Sequence, residues 1–180
     1  HAWLAYKASR PDLAEGALNR ALSLHPGWQQ VALMKLGQLK KADDRAALSA
    51  FTTKFLVEFP DSNDLRLAWA RLLTEWGELE SALEQFNELA HRLPGNNDAI
   101  YASGVLSLEI GDIQNAARWL GRYLELDPDH DQSRLYLAQI AVQEERYDDA
   151  LAWLRAVTES ELYFDAQLRI GAALAAAGRV

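Results

Sequence analysis

The sequence predicts an all-α chain of stacked helix hairpins, an α-solenoid, on three observations. Four of its five prolines, Pro26, Pro60, Pro94 and Pro128, stand 34 residues apart. Small and large apolar residues between them keep the same period. Ala and Leu dominate the composition while β-branched residues are few, which favours helix. Hydrophobic residues make up 49% and charged residues 24%, values of a folded chain rather than a disordered one.

Each period reads as a first helix, a turn, a second helix and a proline loop. In the first helix Ala70, Gly104, Ala138 and Ala172 recur in phase, and their small size lets two helices approach closely. Gly77 and Gly111 mark the turn. In the second helix Ala14, Ala82, Ala116 and Ala150 stand twelve residues before a proline or its stand-in, Leu162. Leu18, Phe86, Leu120 and Leu154 follow four residues later, one turn along the same face. Proline cannot continue a helix and biases its predecessor towards extended backbone, so it closes the second helix. The segments from Arg20 to Pro26 and from Arg122 to Pro128 read as copies of one helix end.

The units are therefore 1–28 (partial), 29–62, 63–96, 97–130, 131–164 and 165–180 (partial), one array of eleven helices. The second helix of each unit is expected to end within two or three residues of Pro26, Pro60, Pro94, Pro128 or Leu162. Repeat 29–62 fits worst. Phe51 and Gly37 are one place off phase, and Lys40 to Arg45 replaces the glycine turn, which leaves its internal register open. The chain opens on His1-Ala2-Trp3 inside a helix and closes on an unpartnered Ala-rich helix. It therefore reads as a piece of a longer protein, flanked by further repeats or covered at its ends by another copy.

The formal net charge is −8. Residues 1–90 carry ten Lys and Arg against twelve Asp and Glu, and residues 91–180 eight against fourteen. Such a surface repels phosphate backbones, so nucleic acid is a poor partner. There is no cysteine, which excludes disulfides and thiolate metal sites. No stretch is apolar over the roughly 20 residues that span a bilayer. Asp127-Pro-Asp129-His130-Asp131 opens like a calcium loop, but Gln132 and Ala138 stand where that loop needs Gly and Glu, so a helix-capping turn is expected. His1, His25, His91 and His130 lack metal-ligand spacing, and no nucleophile–base motif occurs. No cofactor, metal or catalytic residue is assigned. Trp119 and Trp153, 34 apart, either pack against neighbouring helices or form an outward aromatic stripe. Trp28 is expected to staple its loop to a helix.

The small residue, the Ala-x3-Phe/Leu pair and the closing proline together resemble the tetratricopeptide repeat, over the whole chain. The resemblance implies a right-handed solenoid whose first helices line a concave groove that binds a protein or peptide segment. Carried onto this sequence, the groove positions are Trp3 and Tyr6; Gly37 with Lys40 or Lys41; Leu67, Arg71 and Thr74; Tyr101, Val105 and Leu108; and Leu135, Gln139 and Val142. Family members that clamp a terminal carboxylate use Lys, Asn and Arg there. This groove offers only Arg71 and the lysine pair, and favours an apolar segment with Tyr101 as anchor. On another reading Leu67, Leu135 and Val142 are core, with the groove floor one residue away.

The stretch from Asp129 to Ala138, with Arg146 to Ala150 and Tyr163 to Arg169, is similar to proteobacterial tetratricopeptide lipoproteins of the outer membrane. Some of these serve as adaptors for carboxy-terminal processing proteases. That likeness implies a periplasmic place and a protease partner; without it a cytoplasmic place is expected. The sequence thus favours a scaffold or adaptor, not an enzyme. The alternative is a structural module that self-associates through its open ends or convex face.

Overall fold

The computed structural model describes residues 11–158 and 160–178. Its helices are α1 (Pro11–Leu24), α2 (Gln29–Lys41), α3 (Arg45–Glu58), α4 (Asn63–Glu75), α5 (Leu79–Arg92), α6 (Asn97–Glu109), α7 (Ile113–Leu126), α8 (Asp131–Gln143), α9 (Tyr147–Arg155) and α10 (Ser160–Ala176). No strand occurs among the described residues. The fold is all-α, as expected, and the helix expected ahead of α1 falls on residues 1–10, outside the described residues.

The 34-residue period governs the helix starts. The A helices α2, α4, α6 and α8 begin at 29, 63, 97 and 131; the B helices α1, α3, α5, α7 and α9 begin at 11, 45, 79, 113 and 147. Each A helix closes on a Schellman turn, in which a left-handed residue lets the next N–H reach back to satisfy a terminal carbonyl. The 6→1 bonds run from Asp44 N to Leu39 O, Glu78 N to Leu73 O, Asp112 N to Ser107 O and Arg146 N to Ala141 O. The left-handed residues are Asp43, Gly77, Gly111 and Glu145, again 34 apart. Repeat 29–62 is thus in register, with Asp43 in the glycine's place.

Its off-phase side chains have a packing reason. Leu48 occupies the place of Ala82, Ala116 and Ala150, and Thr52 the place of Phe86, Leu120 and Leu154; both are fully buried. Large and small residues have been exchanged along one helix face, which conserves volume. Thr52 Oγ1 donates to Leu48 O at 2.9 Å, so its hydroxyl is satisfied in the core. Phe51 sits beside them, half-buried, with its ring 5.9 Å from that of Phe55.

In the other repeats Ala82, Ala116 and Ala150 are fully buried, as is Ala70, with Ala138 almost so and Gly104 buried as well. A Cβ on Gly104 would stand 2.8 Å from Leu120 Cγ, so the glycine sets how closely α6 meets α7. Helices α1, α3, α5 and α7 each end two residues before their proline. The B helix of repeat 131–164 does not end at Leu162: α9 stops at Arg155, and α10 starts at Ser160. The reason is Asp131, buried at 2% exposure, whose Oδ2 accepts from Thr158 N at 2.7 Å and whose Oδ1 pairs with Arg134. That bond holds residues 156–158 out of helix.

The chain forms two compact units, residues 1–85 and 86–180. In the first, α2 packs on α1, α3 and α4, and α3 on α4. In the second, α6 packs on α7, α7 on α8, α8 on α9 and α10, and α9 on α10. Among the described residues no helix is long and apolar enough to cross a membrane.

Candidate functional site

The A helices of the second unit carry the best-formed candidate surface. On α6, Tyr101, Val105 and Leu108 are all half-buried, spaced by four and three residues on one helix face. Tyr101 sits in an aromatic nest: its ring centroid lies 5.1 Å from that of Tyr123 and 5.0 Å from that of His130, and those two are 4.9 Å apart. His130 is itself fixed as the N-cap of α8, since Ser133 N donates to its Nδ1 at 3.2 Å. Burial pushes the Tyr101 hydroxyl up to about 12, helped by the Tyr136 hydroxyl, which is hydrogen-bonded to it. Tyr123 is raised as well, by burial first and then by the Asp127 carboxylate. Both phenols are therefore neutral and able to offer an aromatic edge without a charge.

On α8, Gln139 and Val142 are exposed, Val142 at 36%. With Gln143 they border a recess of about 200 Å³ whose far wall is Arg169, Ala172 and Ala173 of α10. Arg169 is held at its rim by Asp165 at 2.7 Å. The sequence reading did not place Arg169 in the groove. Its phase marks it nonetheless, because 169 follows Leu67, Tyr101 and Leu135 by the same step of 34.

Leu135 is not part of this surface. It is 3% exposed, in a core cluster with Ala138, Leu154, Val157 and Ala166. The cause is the early start of α10, which lays Leu162, Ala166 and Ile170 over it. For Leu135 the core reading holds, while Val142 is exposed and Leu67 half-buried.

In the first unit Leu67 lies on α4 beside exposed Arg71 and Thr74. Thr74 Oγ1 donates to Ala70 O at 3.0 Å. On α2 Gly37 is half-buried, and Lys40 pairs with Glu75 at 2.5 Å. Trp3 and Tyr6 lie outside the described residues. Trp119, at 2% exposure, is core, and Trp153 packs against two core clusters, so neither forms an outward stripe. Trp28 is half-exposed and meets only His25 edge-on at 5.9 Å among the ring contacts; its loop is packed instead by Gly27, whose Cβ position is 2.9 Å from the Phe59 ring. The Asp127–Asp131 turn caps α8, and among the described residues no three His, Asp or Glu side chains gather to hold a metal.

Residues 107–162 match the family model of the tetratricopeptide repeat. The solved structure of the MamA protein superposes with a TM-score of 0.72 at 16% identity, over 84% of this chain and 83% of that one. YrrB, described as a tetratricopeptide protein with an unusual peptide-binding site, gives 0.72 at 19% identity, over 91% and 84%. A tetratricopeptide repeat protein from Parabacteroides merdae gives 0.65 at 18%, over 99% and 71%. The fold is therefore that of tetratricopeptide-repeat solenoids. No curated protein matches the chain.

Proposed function

We propose that this chain is a protein-interaction scaffold that takes a segment of another protein against the A-helix face of its second unit. The observation that carries this is the run of Tyr101, Val105 and Leu108, with Gln139 and Val142 on α8 beside the 200 Å³ recess. An apolar side chain of the ligand enters that recess, and the neutral tyrosine nest supplies an aromatic anchor. Leu67, Arg71 and Thr74 form the corresponding face of the first unit. A neighbour of the same fold, YrrB, is described as having a peptide-binding site, which supports a binding role rather than a catalytic one.

The test is site-specific photo-crosslinking in the source cell, with the probe at Val105 or Gln139 and, as control, at Ala152 on α9. Adducts from the two A-helix positions that disappear in Val142→Glu are the expected result. Adducts from Ala152 alone would reject the reading.

The finer reading is an adaptor for a periplasmic carboxy-terminal processing protease, and it rests on the likeness of residues 129–169 to such adaptors. It predicts that the crosslinked partner is a protease or its substrate. A second reading, self-association, is favoured by the exposed Tyr163, Phe164 and Leu168 on α10. Sedimentation of wild type against Phe164→Glu tests it, and a monomer at all concentrations would exclude it.

A further inference from the structure

The B-helix face of the second unit carries a basic cluster that the proposed groove does not use. Arg118 and Arg122 lie one turn apart on α7, with guanidinium carbons 5.3 and 5.5 Å from the centroid of the Trp119 ring. From α5 the His91 ring meets the same indole edge-on at 5.4 Å. His91 Nδ1 donates to Asn87 O at 2.6 Å, which holds the ring and leaves Nε2 as the nitrogen not used in that bond. Trp119 is buried, and its Nε1 has no hydrogen-bond partner. The indole is thus a floor under three basic groups.

These arginines differ from their neighbours. Arg92, Arg134, Arg146 and Arg169 are each paired with an acid close by in sequence. Arg118 and Arg122 form no ion pair among the described residues, and the hydrogen bond Arg122 makes is to Pro94 O at 3.2 Å. Nor does the repeat require them. One period earlier their places hold Glu84 and Glu88, one period later Ala152 and Ala156. Stacking on an aromatic face holds a guanidinium flat while its N–H edge points outward, the geometry that receives a carboxylate in bidentate fashion.

We propose that His91, Arg118 and Arg122, floored by Trp119, form a docking site for an acidic segment of a partner protein. Two carboxylates one helical turn apart, or on alternate residues of an extended strand, match the spacing of the two arginines. A long polyanion is disfavoured, because residues 91–180 hold fourteen acidic side chains that repel it beyond the patch.

The probe is fluorescein-labelled hexaglutamate, followed by anisotropy at low salt. Arg118→Ala/Arg122→Ala is compared with Arg155→Glu, which changes the net charge by the same amount away from the patch. The expected result is binding by wild type, weakened about tenfold or more in the double variant and little changed in Arg155→Glu. Where circular dichroism shows the double variant unfolded, Arg118→Ala alone carries the comparison, since that side chain is exposed. Val142→Glu should bind hexaglutamate as wild type does, so failure here is separable from failure of the groove. Absent wild-type binding, or equal loss in Arg155→Glu, overturns the proposal. So does tighter binding of an oligothymidylate of the same charge through the same residues, or a dimer in sedimentation that Arg118→Ala dissolves, which would make the occupant a second copy.

Discussion

Gly104 on α6 and Gly121 on α7 share one hairpin, and a methyl group meets opposite circumstances at each. A Cβ on Gly104 would lie 2.8 Å from Leu120 Cγ and 3.3 Å from Leu120 N, whereas Gly121 has nothing within 4 Å. Helix propensity alone favours Ala at both by about 1 kcal/mol. At Gly104 overpacking, about 1–3 kcal/mol, outweighs it. Gly104→Ala should therefore lower the urea midpoint and Gly121→Ala raise it; a gain at both would show that the α6–α7 spacing relaxes freely. Tyr101 makes a pH prediction. Its hydroxyl is raised from 10.0 to about 12 in the folded protein. Between those values the unfolded chain has lost a proton that the folded chain keeps, so this stabilisation is full below pH 10 and is lost as pH rises through 12. Absorbance titration should show a late-ionising phenol that Tyr101→Phe removes; an unchanged late phase in that variant would mean the Tyr101 hydroxyl is open to water. At this scale the small core residues were legible because they repeat. The burial of Leu135 was left open between groove and core, since it depends on α10 starting ahead of phase.

The helices follow the period so closely that the A-helix starts at 29, 63, 97 and 131 coincide with the unit boundaries, and the B helices α1, α3, α5 and α7 end two residues before the prolines that mark them. The exception is the α9–α10 junction, where the marker residue is Leu162 and no proline enforces the end. There a tertiary bond decides, from Thr158 N to Asp131, and spacing carries no signal of it. Asp131→Ala removes the buried acceptor of Thr158 N and leaves Arg134 with only the exposed Asp129 carboxylate at 3.8 Å, and should cost about 2 kcal/mol, with Asp131→Asn costing less because it still accepts from Thr158. Equal effects in chemical denaturation would mean that charge rather than the hydrogen bond matters. The Schellman turns give a second element-scale prediction. Asp43 and Glu145 take φ of 55° and 57° where the other repeats have glycine. Left-handed backbone costs a residue with Cβ about 1–2 kcal/mol, partly offset by the greater unfolded-state freedom of glycine. Glu145→Gly should raise stability by up to about 1 kcal/mol, and Asp43→Gly by less, because Asp tolerates this region better. A loss at Glu145 would show that its side chain holds the turn.

Across the whole molecule, large fully buried side chains are unevenly spread. Leu18, Leu48, Leu65, Leu89, Ile100, Leu120, Ile140 and Leu154 place one each on α1 and α3 through α9, while α10 contributes only Ala166 and Ala173 to the core and exposes Tyr163, Phe164 and Leu168. In a stacked repeat fold each element is held by its neighbours alone, so stability is a sum of local terms and the least buried element opens first. Hydrogen exchange should therefore be slowest in α6, α7 and α8 and fastest, among helices of the second unit, in α10. The same measurement bears on self-association. If a second copy covers Phe164 and Leu168, α10 protection rises with protein concentration, and Phe164→Glu abolishes that rise while leaving α6–α8 unchanged. If α10 exchanges as slowly as α7 at every dilution, the second unit opens as one cooperative block, and nearest-neighbour packing is the wrong description of it.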